Sequence, residues 1–172
     1  MKTIAEDGSD TLVGELGEIC MRGPHITAGY WNRPEASKDI FVEHLGKTWL
    51  RTGDVATVDS DGFLEIVDRI KDMIAVGGFK VFPSQVEDVL LEHEAVKEAL
   101  VIGRPDAYHG EMPVAYVTLK AGHEASGEQL KQWLNARVGK HERADAVIIR
   151  EDLPKTMIGK LDRKALRAEV LD

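Results

Sequence analysis

Asp68-Arg69-Ile70-Lys71-Asp72-Met73-Ile74-Ala75-Val76-Gly77-Gly78 divides the chain. It closes an alternating segment on charge, runs through a short apolar stretch and breaks on a double glycine. The part before it is β-rich. Phe63-Leu64-Glu65-Ile66-Val67 and Val55-Ala56-Thr57-Val58 form the arms of a hairpin around Asp59-Ser60-Asp61-Gly62, and Trp49-Leu50-Arg51-Thr52 is strand-like as well. Further upstream, Ile19 and Met21 face one side of a strand and Glu18, Cys20 and Arg22 the other, until Gly23-Pro24 ends it. Pro34-Glu35 suits the start of a short helix.

After the stretch the pattern changes. Pro83 to Glu92 carries apolar residues at 86, 89 and 90, with Ser84 as cap and Glu87 three residues on, the pattern of a capping box. Val96 to Ile102 and Pro113 to Leu119 read as strands, the second opened by Gly110-Glu111. Ser126 caps a helical face at 130, 133, 134 and 138 that stops at Gly139. Val147-Ile148-Ile149 is a short buried strand, and Asp162 to Leu171 a final helix. This order predicts a compact α+β domain following a β-rich one, with the boundary near Lys71.

The 172 residues suffice for one ordinary domain or two small ones, and 43% hydrophobic with 30% charged content is that of a globular chain. A net charge of −8, with basic residues interleaved among acids, argues against a nucleic-acid surface. The single cysteine, Cys20, excludes an internal disulfide framework, fits a reducing compartment and reads as a small buried apolar residue. No apolar run approaches the ~20 residues of a membrane span. The expected location is cytoplasmic.

Three short motifs carry chemistry. In Arg51-Thr52-Gly53-Asp54, Gly53 permits close backbone approach and Asp54 can accept two hydrogen bonds from a vicinal diol; alone, Thr-Gly-Asp is an ordinary turn. In the opening stretch Asp68 and Arg69 read as a surface ion pair, and Gly77-Gly78 as a turn. Pro154-Lys155-Thr156-Met157-Ile158-Gly159-Lys160 sets a lysine just beyond a glycine, where it can bring a point charge to phosphate or carboxylate oxygens, or simply be solvated.

Taken in order with Gly14-Glu15-Leu16-Gly17-Glu18-Ile19 and Gly29-Tyr30-Trp31-Asn32-Arg33-Pro34-Glu35-Ala36, these motifs resemble the adenylate-forming enzymes: acyl-CoA synthetases, firefly luciferase and peptide-synthetase adenylation domains. The resemblance runs from about Gly14 to Leu166. Ile66 to Ile74, followed by Gly78-Phe79-Lys80-Val81-Phe82-Pro83, looks most like the medium- and long-chain fatty acyl-CoA ligases. The family's Ser/Thr/Gly-rich phosphate loop, its Tyr-Gly-x-Thr-Glu motif and its acyl pocket have no counterpart in these residues. The resemblance therefore implies the C-terminal portion of a synthetase, inactive alone, with Met1 read as an internal position. Residues 1–70 would be the β-rich end of the large domain. Residues 71–172 would be a mobile lid with a small antiparallel sheet and flanking helices, hinged at Lys71.

By that resemblance Asp54 would hold the ribose of ATP and of the acyl-adenylate, assisted by Arg69. Lys160 would bridge the ATP phosphates and the acyl carboxylate in the first half-reaction. The second would bring Gly77-Gly78-Phe79 to the tunnel taken by CoA, with Arg143 a further candidate beside it. ATP, CoA and Mg2+ are implied, without a recognisable Mg2+ ligand here. The implied partners are the rest of the large domain, a carboxylic acid, and a lysine acetyltransferase and deacetylase acting on Lys160. Two features depart from the family pattern. Leu50 stands where an aromatic residue is common, and Lys140-His141-Glu142-Arg143-Ala144 replaces a more basic segment. Two alternatives stay open: a free-standing binding or regulatory module, and the lid of an aryl- or amino-acid-adenylating enzyme.

Overall fold

The computed structural model describes residues 1–171. The chain separates into two compact units, Met1–Lys71 and Asp72–Asp172.

The first unit is organised around one long strand. Its elements are β1 (Lys2–Ile4), β2 (Gly17–Met21), α1 (Pro34–Asp39), β3 (Phe41–His44), β4 (Lys47–Val58) and β5 (Leu64–Arg69). One edge of β4 pairs with β2, while β3 and β5 share the other, β3 at Lys47 to Leu50 and β5 at Asp54 to Val58; all three pairings are antiparallel. The stretch expected as two strands is thus one strand with an irregular middle. The expected alternation in β2 fails for the same reason: the register slips between Glu18 and Cys20, and Ile19 and Cys20 are both buried. With Ile4, Val55 and Ala56 they form a thin core. The Cys20 thiol is pushed up to about 11 by burial.

A single 3-10 turn, Ile70–Asp72, leads on. The second unit contains β6 (Ile74–Val76), β7 (Phe79–Val81), α2 (Pro83–Leu91), β8 (Val96–Asp106), β9 (Gly110–Leu119), α3 (Gly127–Asn135), β10 (Ala146–Ile149) and α4 (Arg163–Leu171). The double glycine is the turn of a two-residue hairpin, with φ of 56° at Gly77 and 86° at Gly78. Positive φ at both central positions defines a type I′ turn, which glycine adopts without steric cost.

β8 and β9 pair along nearly their whole length and are buried on both faces. Val101, Ala115 and Val117 pack on one side with Val86 and Leu90 of α2 and Leu130 and Leu134 of α3. Leu100, Ile102, Val114 and Tyr116 pack on the other with Leu153 and with Leu166 of α4. Apolar residues at successive positions follow from this two-sided cover.

The sheet is antiparallel as expected at β6–β7, β6–β9 and β8–β9, with one parallel edge. β10 runs parallel to β9, because the α3 crossover returns the chain in the same direction. The expected capping box at Ser84 does not form: α2 begins at Pro83 with Phe82 as N-cap and no side-chain capping bond. Proline at the first helical position has no N–H to cap there. The expected cap at Ser126 does form, and it is a full capping box, the Ser126 hydroxyl accepting from Gln129 N and the Gln129 side chain from Ser126 N. α3 ends at Asn135, short of the expected Gly139 stop, with Ala136 as C-cap.

Candidate functional site

Thr52 and Gly53 fall between the stretches of β4 that pair with β3 and β5. Their polar backbone is therefore met mainly by side chains. Gly53 N donates to Glu18 Oε1 at 3.0 Å, the Thr52 hydroxyl donates to Ile19 O at 2.9 Å, and Asp54 N donates to Thr52 Oγ1 at 3.1 Å. Glu18 also accepts from Arg51 Nε through Oε2 at 2.8 Å. Gly53 has φ of 75°, and a Cβ there would stand 3.7 Å from Arg69 Nη2. The glycine thus permits the left-handed bend that turns the strand at this point.

This bulge places Asp54 directly across from Arg69 on β5. Arg69 Nε lies 2.9 Å from Asp54 Oδ1, and Nη2 donates to Thr52 O at 3.3 Å. Asp68 is too buried for the surface pair expected with Arg69. Asp68 is 5% exposed and accepts Arg69's own backbone N–H at 2.7 Å, while the guanidinium turns to Asp54. A cleft of about 350 Å³ opens beside the pair, lined by Glu18, Arg51, Thr52, Gly53, Arg69 and Lys71 among others. The first unit thus pairs Asp54 with Arg69, and Arg69 and Lys71 both line the cleft. Sequence reasoning did not single out Glu18, although it holds both the bulge and Arg51. Its only signal is an acid on a strand face next to a basic one.

The second unit carries the remaining candidates, Gly77, Gly78, Phe79, Arg143 and Lys160. Phe79, at the start of β7, stacks on His141 with ring centroids 3.5 Å apart and planes 14° from parallel. Gly77 N donates to His109 O at 2.7 Å, fixing the hairpin tip beside the β8–β9 turn. Two backbone N–H groups, of His109 first and then Tyr108, hold the Asp106 carboxyl below the usual range in that turn. Arg143 is exposed two residues beyond His141.

Lys160 stands at the end of an exposed loop closed by Thr156 N donating to Lys160 O at 2.7 Å. Met157 and Ile158 in the same loop are 105% and 79% exposed. The two lysines of this segment differ. Lys155 pairs with Asp152 at 3.0 Å and with Glu98 at 3.1 Å, and these partners push its ammonium up, Asp152 most. Among the described residues no acid pairs with Lys160.

Residues 85–160 match the AMP-binding enzyme C-terminal domain. Over that stretch the chain carries an AMP-binding enzyme C-terminal domain. It is 43% identical to the medium/long-chain fatty-acid–CoA ligase FadD8 of Mycobacterium tuberculosis over 95% of its length, which is 29% of that relative. It is 42% identical to the long-chain fatty-acid–CoA ligase of Bacillus subtilis, again over 95% of its length and 29% of the relative. Its fold matches the ATP-bound crystal structure of MatB from Rhodopseudomonas palustris with a TM-score of 0.91 at 32% identity, covering 99% of this chain and 33% of that one. The chain thus spans under a third of the length of the adenylate-forming relatives it matches. Among the described residues, no group of three or more His, Cys, Asp or Glu side chains could hold a metal ion, and no helix is long and apolar enough to cross a membrane.

Proposed function

We propose that the chain serves as the C-terminal part of an AMP-forming acyl-CoA ligase, in the cytoplasm. The observation that carries this reading is the Asp54–Arg69 pair, set in register beside the cleft by a bulge built for it. In the first half-reaction a carboxylate oxygen attacks the α-phosphorus of ATP, the bond to the β-phosphate breaks, and pyrophosphate leaves. In the second, the CoA thiol sulfur attacks the acyl carbon of the adenylate and AMP leaves.

Asp54 accepts the ribose hydroxyls, and Arg69 both orients Asp54 and donates toward the nucleotide. Lys160, unencumbered by an acid, supplies positive charge where it develops on the phosphates and carboxylate. Lys71 is the hinge, about which a lid comprising 71–172 turns from its Lys160 side to its Gly77-Gly78-Phe79 side, with Arg143 near the CoA path. Among the described residues no group of acids could hold a metal ion, and Mg2+ would arrive held by the ATP phosphates. The fatty-acid preference is taken from the two named relatives. Acetylation of Lys160 would remove the charge the first step needs; Lys160 found unmodified by mass spectrometry under every growth condition would count against that regulation.

The test separates the half-reactions in the full-length ligase. Lys160→Ala slows pyrophosphate release, while Lys71→Pro slows acyl transfer from preformed adenylate to CoA. Equal losses in both steps for both variants would refute the assignment. The 172-residue chain alone should form no acyl-CoA.

A further inference from the structure

Arg163, the first residue of α4, binds three separate parts of the second unit. Its Nε donates to Val101 O on β8 at 3.0 Å, Nη2 to Glu87 Oε1 on α2 at 2.6 Å, and Nη1 to Asp72 Oδ2 at 3.3 Å. The three side chains are largely buried, at 14% for Arg163, 13% for Glu87 and 16% for Asp72. The same Glu87 oxygen also accepts Val101 N at 2.7 Å. This is what Glu87 does in place of the expected capping box. One helical turn on, Arg167 Nη1 lies 3.9 Å from Asp72 Oδ1.

Asp72 directly follows Lys71 in the chain. Its carboxylate is held by two arginines of α4, the helix most distant from it in sequence. Ile70 and Lys71 are exposed, and among the described residues Lys71 has no ion-pair partner. Pulling Asp72 away would leave a mostly buried guanidinium short of a partner, a costly arrangement compared with breaking an exposed pair.

We propose that Arg163 is the positioning residue of the hinge. By binding Asp72 to α4, α2 and β8 it makes residue 72 part of a rigid body, and so confines flexing of the connection to Ile70 and Lys71. Its use in catalysis rests on the lid reading above. A pivot of one or two residues lets a rigid body turn through a large angle and still stop in defined places. A longer soft segment would blur both stops.

The test is backbone 15N relaxation on the 172-residue chain. In the wild type, the amides of residues 72 and 73 have the order parameters of rigid backbone, about 0.85 and equal to those of β6. Asp72→Ala leaves Arg163 on Glu87 and Val101, so the unit stays folded, and the order parameters at 72 and 73 fall toward ~0.6. Arg163→Met produces the same loss where it folds; Asp72→Ala decides the matter otherwise. Arg150→Ala removes another ion pair of α4, with Glu169 at 2.8 Å, and leaves residues 72 and 73 unchanged. Residues 72 and 73 already mobile in the wild type, still rigid in Asp72→Ala, or equally loosened by Arg150→Ala would each overturn the proposal. No nucleotide or acid enters the measurement, so a failure of the ligase reading leaves its result untouched.

Discussion

Replacing Glu18 by glutamine tests whether the bulge at Thr52 and Gly53 is built by side chains standing in for strand pairing. The carboxylate receives Gly53 N on one oxygen at 3.0 Å and Arg51 Nε on the other at 2.8 Å, and is 13% exposed. Glutamine keeps one acceptor oxygen and presents an NH2 group to the second donor. Arg51 is 46% exposed and can turn to water, so its pair contributes only ~0–1 kcal/mol. The bond from Gly53 changes from charge-assisted, ~1.5–3 kcal/mol, to neutral, ~0.5–1.5 kcal/mol. Together the loss is about 1–2 kcal/mol, borne by the first unit. For a unit of this size each kcal/mol moves Tm by roughly 4–8 °C, so the melting point should fall by about 4–16 °C. Trp49 fluorescence reports that unit once Trp31 and Trp133 are replaced by phenylalanine. The Gly53 amide should also exchange faster with solvent. An unchanged melting point together with unchanged exchange at Gly53 would refute the claim that Glu18 builds the bulge.

Cys20 should resist thiol reagents in the folded protein. With its ionisation pushed up to about 11, only about one thiol in a thousand is thiolate at pH 8. Labelling should therefore appear only with denaturant, and rapid native labelling at pH 8 would contradict the burial. The same group sets a sign for alkaline stability: the folded thiol keeps its proton above the ordinary value near 9.0, so stability falls as pH rises from there toward about 11. A Cys20→Ala variant should lose less stability across that window. In the β6–β7 hairpin, Gly78→Ala meets no atom within 4 Å, so its cost is backbone strain alone, about 1 kcal/mol in urea unfolding. Gly78→Asn should cost less, because asparagine tolerates positive φ. Equal losses for the two would show a steric origin.

Features set by near neighbours were legible in the sequence. The Gly77-Gly78 turn, the Ser126 cap and the apolar runs of β8 and β9 each declare themselves within a few residues. What depended on distant partners was not. Glu87 looks like a capping residue until Arg163, 76 positions away, and Val101 claim it. Asp68 looks like half of a surface pair until the β5 register buries it and sets Arg69 opposite Asp54. Glu18 looked unremarkable because its main task, receiving Gly53 N, exists only once β2 and β4 are paired. Pattern alone could not give the direction of β10, since Val147-Ile148-Ile149 is equally strand-like either way. The three short motifs contain Asp54, Arg69 and Lys160, the residues proposed for the site, but not Glu18, which supports the bulge next to Asp54.

Exposure separates the charges that hold the fold from those offered to a ligand. Arg163 and Glu87, at 14% and 13%, are shielded from water, so removing one partner strands the other; neither is available for chemistry. Arg69 and Asp54, at 50% and 32%, are solvated even while paired, and such a contact contributes at most ~1 kcal/mol. A diol that gives Asp54 two hydrogen bonds can therefore compete for it at little cost, while Arg69 stays near enough to donate to the same ligand. Lys155 and Lys160 repeat the contrast within one loop. The first is tied to two acids, and the second stands clear of any among the described residues. On the proposed reading Lys160 meets phosphates in one half-reaction and leaves for the next, so a resident carboxylate would have to be displaced each time. Introducing one tests this directly. Thr156→Asp, at the residue whose N–H closes the loop onto Lys160 O, should slow pyrophosphate release in the full-length ligase while leaving transfer from preformed adenylate to CoA unchanged. An unaltered first half-reaction would mean that the freedom of Lys160 is incidental.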